Sequence, residues 1–389
     1  MSVLRPRLAT TGLFLANGFG IGNWAASIAP IKAALGLSDA ELGIALLAFA
    51  IGALSTMTVT GHLAAHFGSA RIAFLGSLAF AAALPLPALA PNLPTLILAI
   101  FALGACNGAM DVAMNGHGTL VERASGRPIM SSLHAAFSLG CLLGSAGAGV
   151  LLSFGLGAIA GLGSAGCLTL LLALIGVASL YTIVSAPAEE APGFVLPNRA
   201  ILQIGLLAFL AMFTEGAIAD WSAVYLVSAA GATAAVATAG FSGFAFAMTI
   251  GRLTGDRVVH RLGRPRVLRL GSAIAALGLA IALVAPRVEV AVVGFALAGI
   301  GIANIVPVLF SAAGARMGDH PGIGVAMAAT CGYTGFLTSP PLIGFAANGF
   351  GLRIALILLV IAILTVTLLA GRIRGEPASR DPILPGAGK

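Results

Sequence analysis

The chain has 389 residues, 59% of them hydrophobic and only 8% charged, against roughly 25% charged in soluble domains. A soluble fold of this composition would have no polar surface to show water, so a soluble globular domain is excluded. The net charge of +7 does not point to nucleic acid either, because the basic residues form no stripe on any one element.

Taken in chain order, the apolar stretches number twelve, at about 8–34, 41–63, 70–91, 94–120, 129–154, 157–185, 200–228, 233–258, 266–286, 289–315, 321–347 and 350–371. Each is long enough to cross the ~30 Å hydrocarbon core, which takes about 20 helical residues. Of the 20 Lys and Arg residues, 17 lie at the two ends and in alternate loops and their flanks, while the opposite loops carry only Lys32, Arg287 and Arg353. This is the positive-inside pattern. It predicts an all-α protein of the inner membrane with twelve transmembrane helices and both termini cytoplasmic. Arg5 and Arg7 precede the first stretch, but that stretch is too long for a signal-peptide core and holds Asn17, Asn23 and Trp24, so a retained span is expected.

Within these spans the 52 glycines, as at Gly140, Gly144, Gly147 and Gly149, read as close helix-packing surfaces. Pro30, Pro85, Pro87, Pro307, Pro340 and Pro341 are candidate kinks or early helix ends. Cys106, Cys141, Cys167 and Cys331 fall inside spans without metal-ligand spacing and read as small buried residues.

The two halves repeat. Gly18 to Ala25 in span 1 aligns with Glu215 to Ser222 in span 7 at an offset of 197, placing Trp24 on Trp221. Phe101 to Leu103 matches Phe295 to Leu297 at an offset of 194, and Gly61 with Leu63 matches Gly251 with Leu253 at 190. The expected organisation is a six-helix bundle over 1–185, a cytoplasmic linker over 186–199, a second bundle over 200–371 and a cytoplasmic tail over 372–389. Parallel repeats of this kind place a substrate site between the halves near the midplane.

The loops after spans 2 and 8 carry Gly61, His66, Gly68 and Arg71 in one copy and Gly251, Asp256, Arg257, Gly263 and Arg264 in the other. With these motifs and the 6+6 layout the chain resembles the major facilitator superfamily, whose loop signature has an Asp followed by Arg. Ala65 and His66 stand at those positions in the first copy, so the resemblance implies a gate contact only through Asp256 and Arg257 in the second. Asp111 to Asn115, Glu122-Arg123, Gly126 to Ile129, His134, Ser138 to Gly140, Glu215, Asp220 to Ser222 and Gly335 to Gly344 are similar to the YbjJ-like branch, loosely grouped with bacterial sugar permeases.

An ionisable group at membrane depth costs about 2.5–3.5 kcal/mol on insertion scales, so each one needs a reason. Asp111 and Asn115 are four apart on one helix face, where the carboxylate either exchanges a proton or clasps a neighbour. Glu215, His117 and His134 complete the proton-coupling candidates, each with a structural alternative. Asn17, Asn23, Asn115, Asp220 and Asn304 are candidate solute contacts. Trp24 and Trp221 are either an aromatic pair that stacks on the solute across a cavity or an interfacial belt. Glu122, Arg252, Asp256 and Arg257 are assigned to gating near the cytoplasmic ends, with Glu122 and His134 as a possible relay.

No catalytic or nucleotide-binding fingerprint sits in a loop long enough to fold around a substrate, so no enzyme chemistry, cofactor or metal is expected. The leading expectation is a proton-coupled secondary transporter, monomeric in the lipid bilayer, for a small polar solute such as a sugar. A proton-antiporting exporter of amphipathic compounds is the alternative, and a non-transporting receptor the third.

Overall fold

The computed structural model describes residues 3–127, 129–181, 198–285, 287–317 and 321–372. Its helices are α1 (Leu4–Leu35), α2 (Asp39–Phe67), α3 (Ser69–Ala83), α4 (Leu93–Ser125), α5 (Met130–Ser153), α6 (Ala158–Leu180), α7 (Arg199–Ala230), α8 (Ala234–Leu262), α9 (Arg264–Val284), α10 (Val288–Ile302), α11 (Ile305–Arg316), α12 (Pro321–Phe350), α13 (Leu352–Ala355) and α14 (Ile357–Leu369). The expected linker and tail fall almost wholly outside the described residues.

Ten helical stretches among the described residues are long and apolar enough to cross a membrane, with α10 and α11 acting as one and α13 and α14 as another. Helices α1 and α12, at the first and eleventh predicted spans, reach 32 and 30 residues but fall short in apolarity. The reason lies in their sequences: α1 carries Asn17 and Asn23, and α12 carries Thr330, Tyr333, Thr334, Thr338 and the Pro340-Pro341 pair.

The helix ends are written locally. Ser38 and Asn92 cap α2 and α4, each exchanging side-chain and backbone hydrogen bonds with the residue three positions on, Glu41 and Thr95. Gly68 and Gly263 hold φ of 88° and 77° in the tight turns from α2 to α3 and from α8 to α9, a backbone region that only glycine enters freely. Together with equal lengths for α1 and α7 (32 residues) and for α2 and α8 (29 residues), these matched turns are the structural counterpart of the sequence repeat. Pro85 follows the end of α3, whereas Pro30, Pro340 and Pro341 sit inside continuous helices. The tenth predicted span is broken at Ala303 and Asn304, with Pro307 in the first turn of α11, where a missing N–H costs nothing. Cys141 is buried as expected, but Cys167 is exposed on the outer surface.

Helices α1–α6 pack among themselves, as do α7–α14, and the two sets meet mainly along two seams, α5 against α8 and α2 against α12, with α1 also touching α7 and α8. The contacts gather at one end. Gly43 of α2 lies against the backbone of Pro340, Pro341 and Gly344 of α12, and Gly149 of α5 lies against Ala235 and Thr238 of α8. Further along the same faces of these helices, Leu54 and Gly61 of α2, Ser131 and His134 of α5 and Thr330 of α12 are exposed. Helices α4 and α11 pack on neighbours of their own sets. A cleft therefore runs between the sets, shut at one end and open at the other.

Candidate functional site

Helix α4 lines the cleft with a polar stripe. Asn107, Asp111 and Asn115 recur every four residues, which keeps them on one face. Asn115 Nδ2 donates to the Asp111 carboxylate at 3.1 Å and to its backbone carbonyl at 2.9 Å. Asn17 of α1, itself buried, donates to Asn107 Oδ1 at 2.9 Å and contacts Met110 Sδ at 3.5 Å. Asp111 has no ion-pair partner among the described residues.

Opposite, α7 and α8 supply an ion pair. Glu215 Oε1 and Arg252 Nη2 are 3.3 Å apart, with side chains 20% and 18% exposed. Arg252 Nη1 also donates to Ser138 Oγ of α5 at 2.7 Å, across the seam, and Ser138 donates onward to the His134 carbonyl at 3.1 Å. The placement of Arg252 corrects the sequence expectation of a residue confined to the helix end. It lies ten positions before the last residue of α8, and its length carries the guanidinium to the cleft. Tyr333 of α12 joins the two walls, within electrostatic reach of both Asp111 and Glu215.

The other predicted residues are placed differently. His117 is fully buried between α4 and α3, its Nδ1 3.3 Å from Ser69 Oγ. It is turned about 120° from Asp111 at 100° per residue, so it adds nothing to that face. His134 stacks edge-on against Phe14 at 5.4 Å. Glu122 does not reach it. Its carboxylate accepts from the backbone N–H groups of Ile129 at 2.6 Å and Met130 at 2.8 Å, capping α5, an arrangement that suits an anion at a helix N-terminus. Asp220 is half-buried, without a hydrogen-bond or ion-pair partner among the described residues. Asn304 sits at the break between α10 and α11 and donates to the Gly251 carbonyl at 3.0 Å. It borders a separate cavity of about 320 Å³ with Asp256, His260, Arg264 and Ser311. That position, behind α8, departs from the expected solute contact. Asp256 and Arg257 are exposed near the open end.

The tryptophan pair departs most. Trp24 is 5% exposed and Trp221 0%, so neither indole offers a free face to the cleft in this state. Asn23 donates to its own helix at Phe19 and packs against Gly161 of α6. Trp221→Ala is expected to cost about 3–5 kcal/mol of stability, as large-to-small core changes do, read as a lowered melting temperature. A solute held at Asp111 should keep its affinity in that variant, and a selective loss of affinity would return the solute to the indole.

A set of apolar membrane-length helices in two similar halves, with a polar cleft between them, defines a polytopic membrane carrier. The profile of the Major Facilitator Superfamily matches residues 204–389. An uncharacterized MFS-type transporter of Yersinia pestis is 37% identical over 93% of this chain and 94% of its own length. The membrane protein MosC of Rhizobium meliloti is 37% identical over 89% of this chain and 85% of its own. Among solved structures, a point mutant of the nucleoside transporter NupG superposes with a TM-score of 0.79 at 12% identity, covering 95% of this chain and 99% of that one. A bacterial homologue of the lysosomal transporter Spinster, in an inward-facing and unoccupied conformation, gives 0.74 at 16% identity, covering 97% and 99%. The chain belongs to the major facilitator superfamily and is a membrane transport protein, not an enzyme.

Asn107 and Tyr333 are not singled out by the sequence, and Ser138 enters only within the Ser138 to Gly140 segment of the family resemblance, without a role. Asn107 was within reach of the same reasoning that found Asp111, being four residues earlier on the same face. Tyr333 carries no such local signal.

Proposed function

We propose that this protein is a secondary active transporter that carries a small polar solute, a sugar or related metabolite, by alternating access with protons as the coupling ion. It does so as a monomer of two six-helix bundles, 1–185 and 200–371, spanning the inner membrane twelve times with both termini in the cytoplasm. The observation that carries this reading is the convergence of Asp111 and Asn115 from one set with Glu215, Arg252 and Tyr333 from the other. Carboxamide, carboxylate, guanidinium and phenol groups facing a cleft suit hydroxyl-rich solutes. They do not suit the amphipathic cargo of an exporter, which favours an apolar wall.

In this arrangement Asp111 and Glu215 carry the proton. Asn115 and Tyr333 hold the solute, while Asn17 fixes Asn107 from behind. Asp220 lies toward the closed end, where the solute would meet it after the cleft reverses. Asp256 and Arg257 belong to the gate at the open, cytoplasmic end, with Glu122 holding the start of α5.

Two measurements test the reading. A thermal-shift screen of the purified protein against sugars and metabolites is expected to find ligands that raise its melting temperature, and those ligands should support counterflow in proteoliposomes. Ligands that stabilise without counterflow would favour a receptor. Orientation is tested by labelling: a cysteine at Ala232 should react only from outside intact cells, and one at Ser131 only from the cytoplasmic face. The reverse pattern would sink the orientation.

A further inference from the structure

The seam between α5 and α8 is an antiparallel ladder. Gly149 lies against Ala235 and Thr238, Ser145 donates to the Thr238 carbonyl at 3.2 Å and accepts from Ser242 at 3.0 Å, and Ser138 accepts from Arg252 at 2.7 Å. From Gly149 to Ser138 the ladder spans about 16 Å at 1.5 Å per residue. Its rungs near the closed end are neutral. The rung at its inner limit is charged, and it is built asymmetrically. Arg252 is clamped by Glu215 of its own set at 3.3 Å and presented to Ser138 of the other. Ser138 turns its proton to the His134 carbonyl, which leaves its lone pairs to the guanidinium. Among the described residues, Cys141 and His134 of α5 and Tyr333 of α12 are titratable groups that also feel Arg252 or Glu215.

We propose that Arg252 is a positioning residue of the transport cycle, a latch that holds the closed end shut and whose grip is set by the charge on Glu215. This rests on the transporter reading and deepens it. While Glu215 is ionised, the guanidinium is fixed with Nη1 on Ser138 and the ladder is complete. When Glu215 is neutralised, Arg252 loses its anchor within its own set and turns to the open cleft. Only neutral rungs then resist separation of α5 from α8, and this seam of the closed end loosens, leaving the α2–α12 seam to part with it.

The test needs no solute. A cysteine is placed at Ala235, beside the outermost rung, and its initial rate of reaction with a membrane-impermeant maleimide is measured from either face of the membrane. Labelling of the same chain without that cysteine is subtracted. Ser138→Ala, Arg252→Gln and Glu215→Gln are each expected to raise the rate about tenfold, as for loss of one hydrogen bond to a charged group. Ser138→Thr, which keeps the hydroxyl, should label like the parent. Parental rates in the first three variants overturn the latch, and a lowered melting temperature with parental labelling assigns these residues to structure alone. A raised rate in Ser138→Ala but not in Glu215→Gln removes Glu215 from control. An error in the solute or proton assignment leaves these rates unchanged, and an inverted topology alters only which face labels.

Discussion

Asp111→Asn and Glu215→Gln should each abolish solute accumulation driven by a proton gradient in proteoliposomes, while solute counterflow continues. The reasoning starts from the cost of charge. Among the described residues Asp111 is supported only by the Asn115 amide, and a bare carboxylate at membrane depth costs about 3 kcal/mol. At 1.36 kcal/mol per decade, this slows reorientation of an ionised, empty carrier by roughly 100-fold. Protonation removes the penalty, which ties movement of the empty carrier to the proton. An asparagine is permanently neutral, so the carrier reorients without regard to the gradient and accumulation collapses. Glu215 differs because Arg252 already neutralises it. On the proposed reading a proton acts there by dissolving that pair, and glutamine imitates the dissolved state. Counterflow requires only that the loaded carrier reorient, so it survives in both variants. Normal gradient-driven accumulation in both would remove these carboxylates from coupling.

The parts of this molecule that were legible in the sequence are those set by local properties. Apolar runs of membrane length, the four-residue interval between Asp111 and Asn115 and the capping residues Ser38 and Asn92 all act within one helix. The proposed repeat rests on matched residues in register, and the turns at Gly68 and Gly263 fall at corresponding places in it. What was not legible depends on how the two sets of helices meet. Tyr333 belongs to the site because α12 leans on α2 through Gly344 and Gly43. At 100° per residue, Tyr333, Pro340 and Gly344 lie within about 40° of one another on α12, but the identity of the facing helix is tertiary information. Arg252 was assigned to a helix end from its loop motif, whereas its partners come from α5 and α7. The Trp24 and Trp221 register says nothing of burial, which the packing around each indole decides.

Gly18→Leu or Gly140→Leu should prevent the first six helices from assembling. Helices α1 and α5 cross through two pairs of glycines one turn apart. Gly18 and Gly22 lie against the backbone of Phe137 and Cys141, while Gly140 and Gly144 lie against the backbone of Leu15 and Phe19. At all four positions an added Cβ would meet a carbonyl oxygen of the facing helix, which cannot rotate aside as a side chain can. In lipid no hydrophobic drive compensates for a widened gap, because acyl chains are as apolar as leucine and association rests on packing. Overpacking in a soluble core typically costs 1–3 kcal/mol, and a leucine wedged between two backbones exceeds that, because the whole helix must move. Gly147 is the control, since nothing lies within 4 Å of its Cβ position. Gly147→Leu should therefore give parental yields of monodisperse protein, and Gly18→Leu and Gly140→Leu almost none. A folded Gly140→Leu protein with an unchanged melting temperature would sink the argument. The consequence reaches the cleft. Ser138, Ser145 and Gly149 lie within about 40° of one another on the side of α5 away from Gly140 and Gly144. The glycine crossing therefore fixes α5 to α1 on one side while the other presents the ladder to α8, and the ladder opens by movement of the whole six-helix set rather than by bending of α5.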